Sequence, residues 1–71
     1  MTATFPDCKW LTLRQDGFQL AITLNRPEAR NAMSAAMAME LAAVFDSVAD
    51  LPEIAVIVLR GAGKHFCAGG D

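Results

Sequence analysis

Ile54-Ala55-Val56-Ile57-Val58-Leu59-Arg60-Gly61-Ala62-Gly63-Lys64-His65-Phe66-Cys67-Ala68-Gly69-Gly70-Asp71 is the stretch on which the fold turns. From Ile54 to Leu59 every residue is apolar, without alternation, and the run is bounded by Pro52 and Gly61. Such a run predicts a strand over 54–59 that is buried on both faces, as in a parallel sheet. The loop behind it places Gly61, Gly63, Gly69 and Gly70 around His65 and Phe66. Glycines so placed let backbone come close to a ligand and aim N–H groups at it.

Upstream, Leu11 and Leu13 alternate with Thr12 and Arg14, and Phe18, Leu20, Ile22 and Leu24 form a second apolar set interleaved with Gln19 and Thr23. Both are patterns of half-buried strands. Asp16-Gly17 between them predicts a tight two-residue turn, hence an antiparallel hairpin over 10–24. Residues 1–9 read as a terminal arm. Asn25 to Met33 is polar and interrupted by Pro27, which biases Arg26 away from helix, so 25–33 is a loop of defined shape. Ser34 is placed to cap a helix running to about Asp50, with Met33, Met37, Leu41, Val44, Phe45 and Val48 on one side; Met39 is read as a further packing residue. A helix between the second strand and the apolar run is a crossover, expected to be right-handed and to set the third strand parallel to the second. The loops after Leu24 and after Leu59 then share the carboxyl edge of the sheet, where ligands gather in such units.

Composition narrows the classes of function. A lone domain of 71 residues would bury only about 60% of its extended-chain surface. Yet 54% of the residues are hydrophobic, so more chain or other subunits are expected to cover the excess. With the sequence ending inside a motif, on Asp71, it is expected to be the N-terminal portion of a single larger domain. The net charge of −2 offers no basic field for nucleic acid or an anionic membrane. The first ten residues hold Asp7 and Lys9 and lack an apolar segment, and the longest apolar run is too short to span a bilayer. A cytoplasmic protein is the expectation, with organellar import left open. Cys8 and Cys67 form no metal-ligand pattern and are read as two small hydrophobes rather than a disulfide.

Spacing excludes the familiar nucleotide loops. Gly61-Ala62-Gly63-Lys64 leaves one residue before the Gly-Lys pair where a phosphate loop has four, and His65 stands where Ser or Thr belongs. A dinucleotide fingerprint would need glycine where Phe66 stands. His65 lacks an orienting partner that would make it a general base, and Cys67 reads as a packed residue.

The segments 23–33 (TLNRPEARNAM) and 59–71 (LRGAGKHFCAGGD), in this order and with a helical segment between them, resemble the enoyl-CoA hydratase/isomerase (crotonase) superfamily. The resemblance runs from about Trp10 to Asp71. It implies an α/β fold of the ClpP/crotonase type, this chain being the first β-β-α-β unit of a twisted, mostly parallel sheet. It implies an acyl-CoA substrate, coenzyme A entering as part of the thioester with no separate cofactor, and an assembly of three or twice three subunits. It further implies that Gly70, after the glycine of the FxxG motif, offers its backbone N–H to the thioester oxygen as an oxyanion hole. Relatives often carry Ala there; glycine leaves the donor in place.

On the same resemblance, Glu28, Arg30 and Ala32, with the backbone of Ala68, line the site for the adenine and phosphate end of coenzyme A, and Gly69 is a further substrate-binding residue. Arg30 suits phosphate, being a permanent forked cation, whereas Glu28 stands where relatives often have a basic residue and is left with backbone or rim contact. Arg26 is read as structural, through a salt bridge or cap. Asp71 reads first as a cap for a following helix and second as a wall of the acyl pocket. Glu28, Glu40 and Glu53 do not match the family's catalytic glutamates, so no acid or base is assigned. The implied reaction is addition of water to a 2-enoyl-CoA. An isomerase, dehalogenase, thioester hydrolase or decarboxylase on the same scaffold, and a non-catalytic truncated module, stay open. The 71-residue piece alone is not expected to turn over substrate.

Overall fold

The computed structural model describes residues 5–64, 66 and 67. It carries three strands, β1 (Leu11–Asp16), β2 (Gln19–Leu24) and β3 (Val56–Gly61), and one α-helix, α1 (Ala35–Ala49). A 3-10 turn over Pro27–Ala29 lies in the loop after β2. The sheet order is β1-β2-β3, with β1 antiparallel to β2 and β2 parallel to β3. This is the strand, strand, helix, strand order and the parallel pairing of the second and third strands that the sequence predicts.

The core follows from the alternation in β2. Leu20, Ile22 and Leu24 are fully buried on one face, joined by Leu11 from β1 and by Met37 and Val44 from α1. Leu41 and Val48 pack on the same cluster from the helix, completing a single stripe at helical spacing. Ser34 starts α1 as predicted: its Oγ accepts from the Met37 backbone N–H at 3.2 Å, satisfying one of the donors left open at a helix start.

Four expectations need correction. The hairpin turn is Gly17–Phe18, not Asp16–Gly17, because Asp16 pairs with Gln19. Gly17 has φ 62° while Phe18 has no positive φ, a turn in which only the first central residue needs glycine's freedom. Phe18 therefore sits at the tip, 63% exposed, rather than in the buried alternation of β2. Second, the apolar strand runs over 56–61 instead of 54–59: the N–H groups of Ala55 and Val56 are both drawn to the Phe18 carbonyl, and pairing with β2 begins at Val56, opposite Gln19.

Third, that strand is not buried on both faces; Val56, Ile57 and Leu59 are 38–42% exposed. It is an edge strand of the sheet, and α1 lies against β1 at the opposite edge. Fourth, the helix stripe is narrower than predicted. Phe45 is 44% and Met39 73% exposed, because residues 37, 41, 44 and 48 already fill the face that meets β1 and β2. No described helix is long and apolar enough to cross a membrane.

Candidate functional site

The two polar loops meet at the carboxyl edge of the parallel pair β2–β3, as the topology requires. Leu24, the last residue of β2, pairs with Gly61, the last of β3, and the Leu24 carbonyl accepts from the Ala62 N–H at 2.8 Å. From that point both chains leave the sheet side by side.

The first loop is shaped by Pro27, whose fixed φ suits the start of the 3-10 turn. The turn closes through Ala29 N–H to the Arg26 carbonyl (3.1 Å) and Arg30 N–H to the Pro27 carbonyl (3.0 Å). Arg30 and Asn31 then take left-handed conformations, φ 54° and 57°, a region that asparagine tolerates better than most residues. Glu28 and Arg30 are both exposed on this turn. Ala32 is half-buried, its carbonyl accepting from Arg26 Nη1 at 3.1 Å. Arg26 has the structural role expected of it, its guanidinium reaching this carbonyl and lying 5.8 Å from the centre of the Trp10 ring.

Asn31 is the residue that sequence reading passed over. It is fully buried, and its side chain works in both directions. Oδ1 accepts from the Arg26 backbone N–H and Nδ2 donates to the Ala62 carbonyl, each at 2.8 Å. Its own backbone N–H reaches the Arg26 carbonyl at 2.8 Å. The first loop is thereby fastened to the second. On the facing side, Gly63 has φ 78°, and a Cβ built there would lie 3.2 Å from Pro27 Cβ, so the loops also abut sterically. The only sequence signal for Asn31 was a small amide side chain in a loop that must turn sharply.

Beyond Gly63, Lys64 and Phe66 are exposed, and Cys67 is half-buried against the core, the packed role expected of it. Cys8 and Cys67 are both free thiols. Burial, followed by the charges of Glu40 and Asp7, pushes the Cys8 thiol pKa up. Of the residues singled out above, Glu28, Arg30 and Ala32 share one turn beside the glycine loop; His65, Ala68, Gly69, Gly70 and Asp71 lie outside the described residues. Among the described residues no cluster of His, Cys, Asp and Glu could hold a metal ion. A shallow groove on the polar face of the sheet, lined by Arg14, Asp16, Gln19, Ala21 and Arg60, includes none of the loop residues. A permanent cation on an exposed turn beside a glycine-rich backbone suits an anionic ligand held partly by main-chain donors.

Glu40 also has a function that its position in the helix concealed. Its two carboxylate oxygens accept from the backbone N–H groups of Lys9 and Trp10, both at 2.8 Å. It fastens the entry of β1 to α1.

Comparison with known proteins adds the family. Residues 20–71 match the model of the enoyl-CoA hydratase/isomerase family. Enoyl-CoA hydratase EchA19 of Mycobacterium tuberculosis is 46% identical over 55 residues, a match covering 78% of this chain and 21% of that protein. The peroxisomal Delta(3,5)-Delta(2,4)-dienoyl-CoA isomerase of Arabidopsis thaliana is 42% identical over 50 residues, covering 70% of this chain and 18% of the isomerase. Among solved structures, Pseudomonas aeruginosa AtuE is 54% identical with a TM-score of 0.86, over 89% of this chain and 24% of that one. The chain thus spans about a quarter or less of the length of these relatives. With a β-β-α-β unit, two loops meeting at its carboxyl edge and matches of this extent, the chain belongs to the enoyl-CoA hydratase/isomerase family and has the crotonase fold.

Proposed function

We propose that this chain is the N-terminal portion, residues 1–71, of one crotonase-type domain, and that it supplies one wall of an acyl-CoA site in an enzyme of the enoyl-CoA hydratase type. The observation that carries this reading is the junction of the two motif-bearing loops, fastened by Asn31 Nδ2 to the Ala62 carbonyl at 2.8 Å. One loop presents Arg30 and the backbone around Glu28 and Ala32 to the phosphate and adenine end of coenzyme A. The other leads through Ala68 and Gly69 to Gly70, whose N–H faces the thioester oxygen. Asp71 follows as a helix cap or as part of the acyl pocket.

In this reading the chain does not itself move a proton. Water adds to the 2,3 double bond of an enoyl-CoA, and negative charge collects on the thioester oxygen as an enolate. The Gly70 N–H is one donor to that charge. A preorganised donor of this kind contributes about 3–4 kcal/mol, a factor of roughly 10²–10³ in rate. The second donor and the acid and base come from other segments, and coenzyme A is part of the substrate. An assembly of three or twice three subunits, in the cytoplasm, is part of this proposal.

The family also includes isomerases, such as the dienoyl-CoA isomerase relative, and the second reading is a reaction of that type on the same enolate. One assay separates them. The full-length protein is mixed with a short 2-enoyl-CoA, a 3-enoyl-CoA and a saturated acyl-CoA, with ultraviolet absorbance and free thiol followed together. Loss of the conjugated thioester band from the 2-enoyl-CoA is the expected result. Gain of that band from the 3-enoyl-CoA identifies an isomerase, and thiol release a thioester hydrolase. No change with any of the three sinks the hydratase, isomerase and hydrolase readings and leaves a dehalogenase, a decarboxylase or a non-catalytic module.

A further inference from the structure

The geometry points to Asn31 as a positioning residue that holds the coenzyme-A-side turn in register with the glycine turn leading toward Gly70. This inference rests on the functional reading above and deepens it. Asn31 touches neither substrate nor reacting atoms in that reading; it acts through the two loops that do.

Four observations carry it. The last ladder-type bond at the edge is Ala62 N–H to the Leu24 carbonyl, and the next residue, Gly63, already has a positive φ. The Asn31 Nδ2 bond to the Ala62 carbonyl therefore grips the second loop at the point where the sheet stops holding it. The grip is buried from water, Asn31 being 0% exposed, which makes breaking either of its side-chain bonds expensive. The side chain is in turn oriented by the Arg26 N–H and its backbone by the Arg26 carbonyl, so its placement is set by the first loop. Independently, the approach of Gly63 to Pro27, 3.2 Å from an added Cβ, fixes the same separation sterically.

A substrate gripped at its nucleotide end by one loop and at its thioester by the other is aligned only if that separation is kept. A misplacement of about 1 Å can cost on the order of 10²-fold in rate. Binding of the nucleotide end rests mainly on the first loop, on Arg30 and the backbone around it, with only a backbone contact at Ala68 from the second, so it depends far less on the register. The signature is thus a fall in kcat with coenzyme A affinity retained, which a general loss of structure would not produce.

Asn31→Asp is the sharpest variant. It keeps a residue that tolerates the left-handed conformation and an acceptor for the Arg26 N–H, but sets a carboxylate oxygen against the Ala62 carbonyl. Gly63→Ala strains the opposite side of the junction and leaves Asn31 intact. Both are made in the full-length protein, with turnover of a short 2-enoyl-CoA and calorimetric binding of coenzyme A as readouts. A fall in kcat of about 10–100-fold, with coenzyme A affinity within about twofold of wild type, is expected for each. Unchanged kcat, or parallel loss of kcat and coenzyme A affinity, overturns the inference; if Asn31→Asp does not fold, Gly63→Ala decides by the same criteria. Wild-type protein inactive on every acyl-CoA overturns the functional reading and this inference with it, an outcome seen before any variant is made.

Discussion

Truncating Glu40 should unfasten the start of β1 from α1. In the folded chain both carboxylate oxygens are engaged, at 2.8 Å from the backbone nitrogens of Lys9 and Trp10. The two bonds differ in surroundings: Lys9 is exposed and Trp10 half-buried. A hydrogen bond to a charged group is worth about 1.5–3 kcal/mol, and an exposed one, screened by water, roughly 0.5 kcal/mol. Glu40→Ala should therefore cost about 2–3.5 kcal/mol. At 1.4 kcal/mol per factor of ten, 2 kcal/mol is a change of about 30-fold in the local opening equilibrium.

The direct readout is hydrogen exchange at the Trp10 amide, with the exposed Asp46 as control. Glu40→Ala should raise exchange at Trp10 by about 30-fold, and Asp46→Ala should stay within about 0.5 kcal/mol of wild type. Glu40→Gln keeps one acceptor and turns an amide N–H toward the other backbone N–H, so it should fall between. Trp10 exchange in Glu40→Ala within about threefold of wild type would refute the reasoning. The same variants bear on function: if Glu40 were an acid or base instead, Glu40→Gln would abolish turnover while Trp10 stayed protected.

Three further outcomes follow from single contacts. Ser34→Ala removes the acceptor for the Met37 N–H and should destabilise α1 by about 1 kcal/mol, measured by urea unfolding, whereas Ser34→Asp should restore most of the loss. The Cys8 pKa is raised by burial and then by Glu40 and Asp7. The folded state holds the neutral thiol, so alkylation of Cys8 should begin only at higher pH than in an unfolded peptide of the same sequence, and any stability tied to this thiol is lost as pH rises through its folded pKa. A midpoint equal to the peptide's would refute the assignment. Arg30→Ala removes the exposed cation of the first loop and, on the proposed function, should raise KM for acyl-CoA several-fold, by about 1 kcal/mol at low salt, with kcat unchanged; a fall in kcat alone would count against a phosphate contact.

The topology was legible because it depends on patterns that repeat. Alternation in 18–24, helical spacing at 37, 41, 44 and 48, and one apolar run sufficed to predict a parallel β2–β3 pair and thus which loops would meet. The turn slipped by one residue because Asp16-Gly17 and Gly17-Phe18 both offer glycine to a turn, and the choice is made by which residues pair across the hairpin. Asn31 and Glu40 were illegible for another reason. Each looks like a solvated residue in its own segment, and each has its decisive partner 30 or 31 residues away. Pattern reading assigns faces; it does not assign a polar side chain to a distant backbone atom.

The exposed third strand joins stability to function. Full burial of a Val, Leu or Ile side chain contributes about 1.5–3 kcal/mol, and Val56, Ile57 and Leu59 remain 38–42% exposed. Completing their burial would supply about 2–4 kcal/mol, a substantial part of the roughly 5–15 kcal/mol that holds an ordinary domain folded. The apolar run was read correctly as a strand but wrongly as one buried on both faces: the described residues cover it only on the side of β1 and β2. β3 also ends at Gly61, one residue before the carbonyl that Asn31 grips. Whatever packs on β3 therefore fixes the start of the glycine loop from the sheet side while Asn31 fixes it from the first loop. The same apolar residues that make the unit depend on cover make the placement of its proposed oxyanion donor depend on it too.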